Sequence, residues 1–168
     1  MTASQILSAE DIQYIRDAAK QAGELAVQMR QGVEVREKTG PSDLVTAADL
    51  ALSKLIVESL TSRFPDDIVI SEEDEKHADT GRGKRVWLVD PIDGTDNYVA
   101  NDGQYSVMIG LVVDGIVDFG CVYAPASDIT YFGGSTYGAW KETTHNPPSR
   151  FGSPGALSIN ANARVMMG

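Results

Sequence analysis

Residues 87–98 read Trp-Leu-Val-Asp-Pro-Ile-Asp-Gly-Thr-Asp-Asn-Tyr, which joins a buried-strand pattern to two closely spaced aspartates. The apolar run predicts a strand that ends by delivering Asp90. The proline that follows fixes its own φ, so we expect the chain to turn and bring Asp93 back toward Asp90. Residues 94–95 then open a predicted helix, whose first N–H groups have no partner within the helix. Two carboxylates and a set of backbone donors therefore meet in one small volume.

This combination of groups is typical of a site that binds a phosphate ester and a divalent cation. Carboxylate oxygens are preferred ligands of hard cations such as Mg²⁺, and a helix N-terminus favours an anion such as phosphate. The alternative is a turn in which both aspartates only cap the next helix. Capping needs one short polar residue, whereas a carboxylate behind an apolar strand is costly unless it is paired or binds a metal. We therefore favour metal-assisted attack on a phosphate ester.

The composition of the chain excludes several other classes of function. Its 168 residues suffice for one domain with a hydrophobic core. A net charge of −10 argues against binding to a nucleic-acid polymer. The single cysteine, Cys121, excludes an intrachain disulfide and is predicted to be a small buried side chain. Because no apolar run is long enough for a membrane span and no signal peptide is visible, we expect a cytoplasmic protein without a membrane partner.

Apolar periodicity predicts two long helices in the first half of the chain. Ser8 has the position of an N-cap, and apolar residues then recur every three or four positions to about Met29. A second helix is predicted from about Thr46 to Phe64, where Pro65 ends it. Helices followed by an antiparallel meander predict an α+β domain, with two long helices packed on an antiparallel sheet. The predicted strands cover 33–37, 68–70, 86–89, 105–113, 116–123, 129–132 and 138–141.

The chain is predicted to change character near residue 142. Residues 1–142 are assigned to the α+β domain. Residues 143–168 are polar and contain several prolines and glycines, so they are predicted to form an extended connection. Loops are expected at 38–42 and 79–84, where glycine and polar residues cluster.

Four segments carry the polar residues that matter for chemistry. They are Asp43-Leu-Val-Thr-Ala-Ala-Asp49, Glu72-Glu73, Asp90-Pro-Ile-Asp-Gly-Thr95 and Gly103-Gln-Tyr-Ser-Val107. Their order and content resemble the inositol monophosphatase superfamily, a group of Mg²⁺-dependent, lithium-sensitive phosphomonoesterases. The resemblance runs from the first helix to about Lys141 and implies the N-terminal domain of the sugar-phosphatase fold. It also implies a missing C-terminal α/β domain, toward which residues 143–168 would lead.

The resemblance implies a metal site made of three carboxylates and one backbone carbonyl: Glu72, Asp90, Asp93 and Ile92. Asp90 would bridge two ions. Glu72 would also orient the attacking water, with Glu73 as a neighbour of the site. From spacing alone, Glu72 lies in a run of acidic residues that would equally form a solvated turn.

Asp49 and Thr95 are the remaining catalytic candidates. Thr46 and Asp49 have the spacing of a helix capping box, which is the interpretation that the residues alone favour. The resemblance adds that Asp49 orients Thr95 and that the two take the proton from the attacking water. We expect both roles only if the Asp49 side chain points toward Thr95 rather than back to Thr46. Gly94 and Thr95 are the predicted phosphate-binding residues, since glycine would let the phosphate approach the backbone.

Three further side chains have weaker assignments. Lys38 could lie near the phosphate or a third metal ion, although a single lysine is usually solvated. His77 and His145 lie in polar segments without metal-ligand spacing, so both are predicted to be surface residues.

The function implied by the resemblance is hydrolysis of a small phosphorylated metabolite by metal-activated water. Two or three Mg²⁺ ions are implied, with Ca²⁺ or Mn²⁺ as substitutes and Li⁺ as an inhibitor. Residues 95–98 resemble the inositol monophosphatase branch. Residues 103–107 and 122–125 resemble the 3′(2′),5′-bisphosphate nucleotidase branch, toward which we lean.

The chain also departs from the family pattern. Family members continue into a second domain with most substrate-selecting residues and a metal-binding aspartate in a Trp-Asp-x-Ala-Ala type motif, which is absent from this sequence. The alternative function is therefore a truncated, non-catalytic fragment that binds metal or a partner without turnover. We expect this chain alone to be weakly active or inactive. Its expected partners are a small phosphorylated substrate and a second copy in a homodimer, and an exposed apolar face is expected where the second domain would dock.

Overall fold

The structure is a computed structural model that describes residues 5–30, 35–37, 44–74 and 84–150. The helices are α1 (Ala9–Met29), α2 (Ala47–Arg63) and α3 (Thr95–Ala100). The strands are β1 (Val35–Glu37), β2 (Leu44–Thr46), β3 (Ile68–Ser71), β4 (Arg85–Asp93), β5 (Ser106–Val113), β6 (Ile116–Ala124), β7 (Ile129–Gly134), β8 (Gly138–Thr143) and β9 (Asn146–Arg150). Among the helices in these ranges, none is both long and apolar enough to cross a membrane.

The strands form one seven-stranded sheet and a separate two-stranded ribbon. The sheet has the order β3-β4-β5-β6-β7-β8-β9, and the ribbon pairs β1 with β2. Every neighbouring pair from β4 to β9 is antiparallel, which confirms the predicted meander. The exception is β3, which pairs with β4 in parallel. Because β3 and β4 run in the same direction and Ser71 pairs with Val89, Glu72, which follows β3, lies beside Asp90 of β4.

Both long helices pack on one face of this sheet, as the α+β prediction requires. α1 contacts β5 and β6, and α2 contacts β3 and β4. Alternate residues of the strands point toward the helices and are buried because a strand has a period of two. Together with alanines of α1, they form the core: Trp87, Val89, Val107, Ile109, Leu111, Phe119 and Cys121.

The start of each long helix follows the predicted capping chemistry. The Ser8 side chain accepts the N–H of Asp11, whose carboxylate in turn accepts the N–H of Ser8, so α1 begins with a capping box. Further along α1, Gly23 has no room for a side chain, because a Cβ there would lie 2.5 Å from the ring of Tyr123. The glycine therefore allows α1 to lie close to β6.

The sheet continues beyond the boundary predicted at residue 142. Residues 143–150 were predicted to begin an extended connection, but β9 pairs with β8 as the seventh strand. Pro147 and Pro148 lack N–H donors and are compatible with a strand at the edge of a sheet, where one side of the backbone needs no partner. The prolines therefore mark an edge strand rather than a connection. Residues 151–168, and the loops predicted at 38–42 and 79–83, lie outside the described residues.

Candidate active site

Glu72 and Asp90 meet because β3 and β4 run in the same direction. Ser71 pairs with Val89 across the two strands, so the next residue of each strand emerges at the same edge. The N–H of Glu72 donates to the carbonyl oxygen of Val89 at 2.9 Å, which holds the start of the following turn against β4. The Glu72 side chain is exposed, and its carboxyl lies within hydrogen-bonding reach of Asp90.

Asp90 is a half-buried carboxylate surrounded by groups of its own charge. Burial, together with the like charges of Glu72, Asp93 and Asp49, raises the pKa of Asp90 to about 7. Its Oδ1 atom is buried and has no hydrogen-bond partner among the described residues. A buried carboxylate oxygen without a donor is costly. Asp90 thus has the environment of a group that is completed by a positive ligand.

The predicted turn between Asp90 and Asp93 is a bulge inside a strand. β4 does not end at Asp90, as the sequence pattern predicted, but continues to Asp93. Asp90 pairs with Met108 and Asp93 pairs with Ser106, so β4 uses one residue more than β5 over this interval. Pro91 has no N–H for the ladder, which favours an irregularity at this point.

The bulge determines where the Asp93 side chain lies. Asp93 is exposed, and its Oδ2 accepts a long hydrogen bond of 3.5 Å from the hydroxyl of Ser106. Because its charge still acts on Asp90, Asp93 belongs to the same group of carboxylates. Two of the three predicted carboxylate ligands therefore come from one strand and face a common region.

Asp49 makes both of the side-chain contacts that we expected to be alternatives, one to Thr46 and one to Thr95. Its Oδ2 accepts the backbone N–H of Thr46 at 2.8 Å, and the Thr46 hydroxyl accepts the N–H of Asp49, which completes the capping box of α2. Its Oδ1 accepts the hydroxyl of Thr95 at 3.3 Å. The expected choice between Thr46 and Thr95 was wrong, because a carboxylate has two oxygens and divides them between the two partners.

The carboxylates of Glu72, Asp90, Asp93 and Asp49 are called the acidic group below. Thr95 lies between this group and the start of α3. Its hydroxyl lies 3.2 Å from the carbonyl oxygen of Ile92 and 3.3 Å from Asp49, so its one proton can be donated to either. Gly94 is the N-cap of α3 and has φ +88°, a left-handed conformation. A Cβ at Gly94 would lie 2.9 Å from the carbonyl oxygen of Gln104. The structure therefore gives Gly94 a packing role, in addition to the phosphate contact that the sequence predicted.

The donor set fits a hard cation, although it does not form a closed cage. In the part of the chain that the structure describes, no group of three His, Cys, Asp or Glu side chains is close enough to enclose a metal ion. Both oxygens of Asp49 have protein partners, which leaves Glu72, Asp90 and Asp93 as the more open carboxylates. Oxygen donors on separate elements are typical ligands of Mg²⁺ and Ca²⁺. The unpartnered oxygen of Asp90 is the atom that this chemistry suits best.

Residues 8–163 match the inositol monophosphatase family. The chain belongs to this family. The 3′(2′),5′-bisphosphate nucleotidase CysQ of Salmonella typhimurium is 35% identical over 134 residues, which cover 78% of this chain and 54% of that protein. Inositol monophosphatase 1 of Sus scrofa is 35% identical over 136 residues, covering 78% of this chain and 48% of the relative. The chain thus spans about half the length of the curated relatives it matches.

Solved structures agree with the family membership. An IMPase from Thermotoga maritima superimposes with a TM-score of 0.72 and 30% identity over 79% of this chain and 51% of that chain. The suhB protein of Bartonella henselae gives a TM-score of 0.73 and 27% identity over 80% of this chain and 52% of its own. The fold expected from the family resemblance is therefore confirmed.

The sequence did not single out the polar residues that support the acidic group. Ser53 lies one helical turn after Asp49, a spacing that places both on one face of α2 and could have drawn attention to it. Ser71 and Asp74 flank the predicted ligand Glu72 in the acidic run. Arg30, at the end of α1, donates to the carbonyl oxygen of Tyr98 in α3 at 2.8 Å, a contact that no local pattern predicts.

The remaining sequence assignments concern residues away from this group. His145 is exposed in the hairpin between β8 and β9, as predicted. Lys38 and His77 lie outside the described residues, so their assignments stay predictions.

Proposed function

We propose that this chain carries the metal- and phosphate-binding half of a Mg²⁺-dependent phosphomonoesterase. The observation that supports this most directly is the convergence of Glu72, Asp93 and Asp49 on Asp90, whose buried Oδ1 has no partner in the described part of the chain. None of the ion pairs between described residues involves these four carboxylates, so no lysine or arginine neutralises them there. A divalent cation would supply the missing positive charge.

Glu72, Asp90, Asp93 and the carbonyl oxygen of Ile92 are the proposed ligands of two or three Mg²⁺ ions. When bound, such ions neutralise phosphate charge and make water a better nucleophile at neutral pH. The carbonyl of Ile92 already accepts from Thr95, so the proposed ligand and the proposed catalytic hydroxyl are linked directly.

Thr95 and Asp49 are proposed to orient the attacking water and to receive its proton. The Thr95 hydroxyl can accept a hydrogen bond from water while it donates its own proton to Asp49 Oδ1. Asp49 is held by the capping box of α2, so the direction of this acceptor is set by the helix and not by the substrate. The reaction class is direct attack of water on phosphorus, without a phosphorylated side chain.

Gly94 and Thr95 are the proposed phosphate contacts, through N–H groups at the start of α3. The proposed substrates are a 3′(2′),5′-bisphosphate nucleotide or an inositol monophosphate, in agreement with the names of the two relatives. We lean toward the nucleotide. A cytoplasmic location and a homodimer remain part of the proposal.

The test is release of inorganic phosphate from adenosine 3′,5′-bisphosphate and from inositol 1-phosphate, with calorimetric titration of MgCl₂ and CaCl₂ alongside. The expected result is cation binding with release from one substrate that EDTA abolishes and Li⁺ inhibits. Cation binding without release from either substrate would favour the alternative function, a fragment that binds metal without turnover. Absence of both binding and release would overturn the proposal.

A matched variant makes the test specific. Asp90→Asn is isosteric and removes the carboxylate on which the others converge. It is expected to abolish cation binding as well as phosphate release. Full Mg²⁺-dependent activity in this variant would contradict the assignment of Asp90.

A further inference from the structure

Two buried serines connect the elements that carry Asp49 and Glu72. The Ser53 hydroxyl of α2 donates to the Ser71 hydroxyl at the end of β3, with 2.7 Å between the two oxygens. Their exposed fractions are 7% and 2%, so solvent scarcely reaches either residue. Ser53 lies one turn after Asp49 on α2, and Ser71 directly precedes Glu72.

The Ser71 hydroxyl is also the centre of the turn that presents Glu72. It accepts the N–H of Glu73 at 3.4 Å. The backbone of Ser71 closes the same turn twice: its N–H donates to Asp74 Oδ2 at 2.9 Å, and its carbonyl accepts the N–H of Asp74 at 3.0 Å. The N–H and the carboxyl of Glu72 both face β4, whereas the serine pair joins this turn to α2.

We propose that the Ser53–Ser71 hydrogen bond is a positioning device that sets the distance between the Glu72 carboxylate and Asp49. This inference rests on the proposed function, because it assigns the pair a role in the affinity of the cation site. Side chains that orient a ligand through a hydrogen bond commonly determine metal affinity without contacting the metal. Here the pair acts on Glu72 through the backbone of the turn at 71–74.

The energetics separate this role from a purely structural one. Replacing both members of a buried hydrogen bond by apolar groups of similar shape is nearly neutral for stability, whereas removing one leaves the other unsatisfied. Ser53→Ala/Ser71→Ala should therefore unfold at nearly the wild-type urea concentration. If the pair positions Glu72, this double variant still loses cation affinity, since it lacks the hydrogen bond that joins α2 to the turn.

The experiment is calorimetric titration of CaCl₂ into wild type, Ser53→Ala, Ser71→Ala, the double variant and Ser59→Ala. Ser59 is the matched control: it is a half-buried serine of α2 whose hydroxyl bonds to the carbonyl of Leu55 within the helix. Each site variant is expected to bind Ca²⁺ about tenfold more weakly, and the double variant no more weakly than the weaker single one. Ca²⁺ affinity within twofold of wild type in both single variants would overturn the proposal.

Amide hydrogen exchange in the absence of metal gives a second readout. The N–H groups of Glu72 and Glu73 are expected to exchange about tenfold faster in Ser53→Ala than in wild type, with no such change in Ser59→Ala. Unchanged exchange at both amides would overturn the proposal independently of the titration. If wild type binds no Ca²⁺ while exchange changes as expected, the proposed function fails and the positioning of Glu72 stands.

Discussion

Two acidic side chains of the same sheet, Glu142 and Asp90, have opposite surroundings. Glu142 lies on β8 under α1 with an exposed fraction of 5%. Arg16 donates to both of its oxygens, and the Lys20 ammonium lies 2.9 Å from Oε1. The Arg16 guanidinium also sits 4.5 Å from the centre of the Phe132 ring. Glu142 is therefore a buried charge that the protein has neutralised by itself.

Asp90, by contrast, is surrounded by charges of its own sign. Its charged neighbours in the described part of the chain that shift its pKa are the carboxylates of Glu72, Asp93 and Asp49. Burial alone therefore does not separate a structural acid from a functional one in this fold. The sign of the neighbouring charges separates them, because a carboxylate that is surrounded by like charges lacks a positive partner, which a bound cation can supply.

The largest expected effect is a loss of stability when Glu142 is replaced. Glu142→Gln leaves Arg16 and Lys20 without a counter-charge beneath α1, and breaking a buried ion pair in this way costs about 3 kcal/mol. The free energy of unfolding, from urea titration followed by circular dichroism, measures it. Glu58→Gln is the control, because Glu58 is 68% exposed and lies 4.0 Å from Lys54, a pair worth less than ~0.5 kcal/mol. Equal losses in the two variants would remove the distinction between the buried and the exposed pair.

The next largest effect is a loss of stability when Gly94, next to Asp93, is replaced. Gly94→Ala forces a Cβ toward the carbonyl oxygen of Gln104 in a left-handed conformation, at a cost of about 2 kcal/mol. Urea unfolding again measures it. In Gly120→Ala, the matched control on β6, a Cβ would meet nothing within 4 Å, so no loss is expected. A destabilisation of Gly120→Ala as large as that of Gly94→Ala would show that a general intolerance of alanine, not the left-handed backbone, is responsible.

A smaller effect of opposite sign is expected at Asp90. In the absence of metal, Asp90→Asn removes one of several converging like charges and should stabilise the fold by about 1 kcal/mol. It should also abolish any rise in melting temperature that CaCl₂ produces in wild type, because binding to the folded state is the source of that rise. Asp66→Asn removes the same charge from an exposed turn and should change neither quantity. Destabilisation by Asp90→Asn would mean that this carboxylate is satisfied within the fold.

The smallest expected effect is a change in reactivity. Cys121 lies on β6, near the Arg16–Glu142 ion pair. Burial raises the pKa of its thiol from 9.0 to about 12. The stability that this shift provides is complete below pH 9 and declines as the pH rises toward 12. Native protein at pH 8 should therefore be inert to a thiol reagent such as Ellman's reagent. Protein denatured in about 6 M guanidinium should react fully. Rapid reaction of the native protein would contradict this description of the core.

Elements with a strong local pattern were predictable from the sequence. Both long helices follow from caps and apolar spacing, and the predicted strands 105–113 and 116–123 correspond to β5 and β6. The residues of the acidic group were identified through the family resemblance. The parallel pairing of β3 with β4 was not predicted, because no local pattern specifies which strand is the neighbour of another.

Features that depend on tertiary contacts were also beyond the sequence. The strand pattern ended at Asp90, whereas the observed strand passes through Pro91 as a bulge, supported by pairing with β5. Asp49 was expected to choose between two partners that the structure places on either side of it. The Ser53–Ser71 bond joins residues that are 18 positions apart, and short polar side chains carry little local signal of such a contact.

The parallel pair β3–β4 has a consequence for how the molecule folds. The pairs from β5 to β9 are antiparallel hairpins with short connections, so that part of the sheet can form early from local contacts, whereas the parallel partners β3 and β4 are joined by the longer segment 72–84. We therefore expect Glu72 and Asp90 to approach each other late in folding. We expect a divalent cation to slow unfolding strongly and to leave the folding rate almost unchanged. The cation would then stabilise the folded protein kinetically.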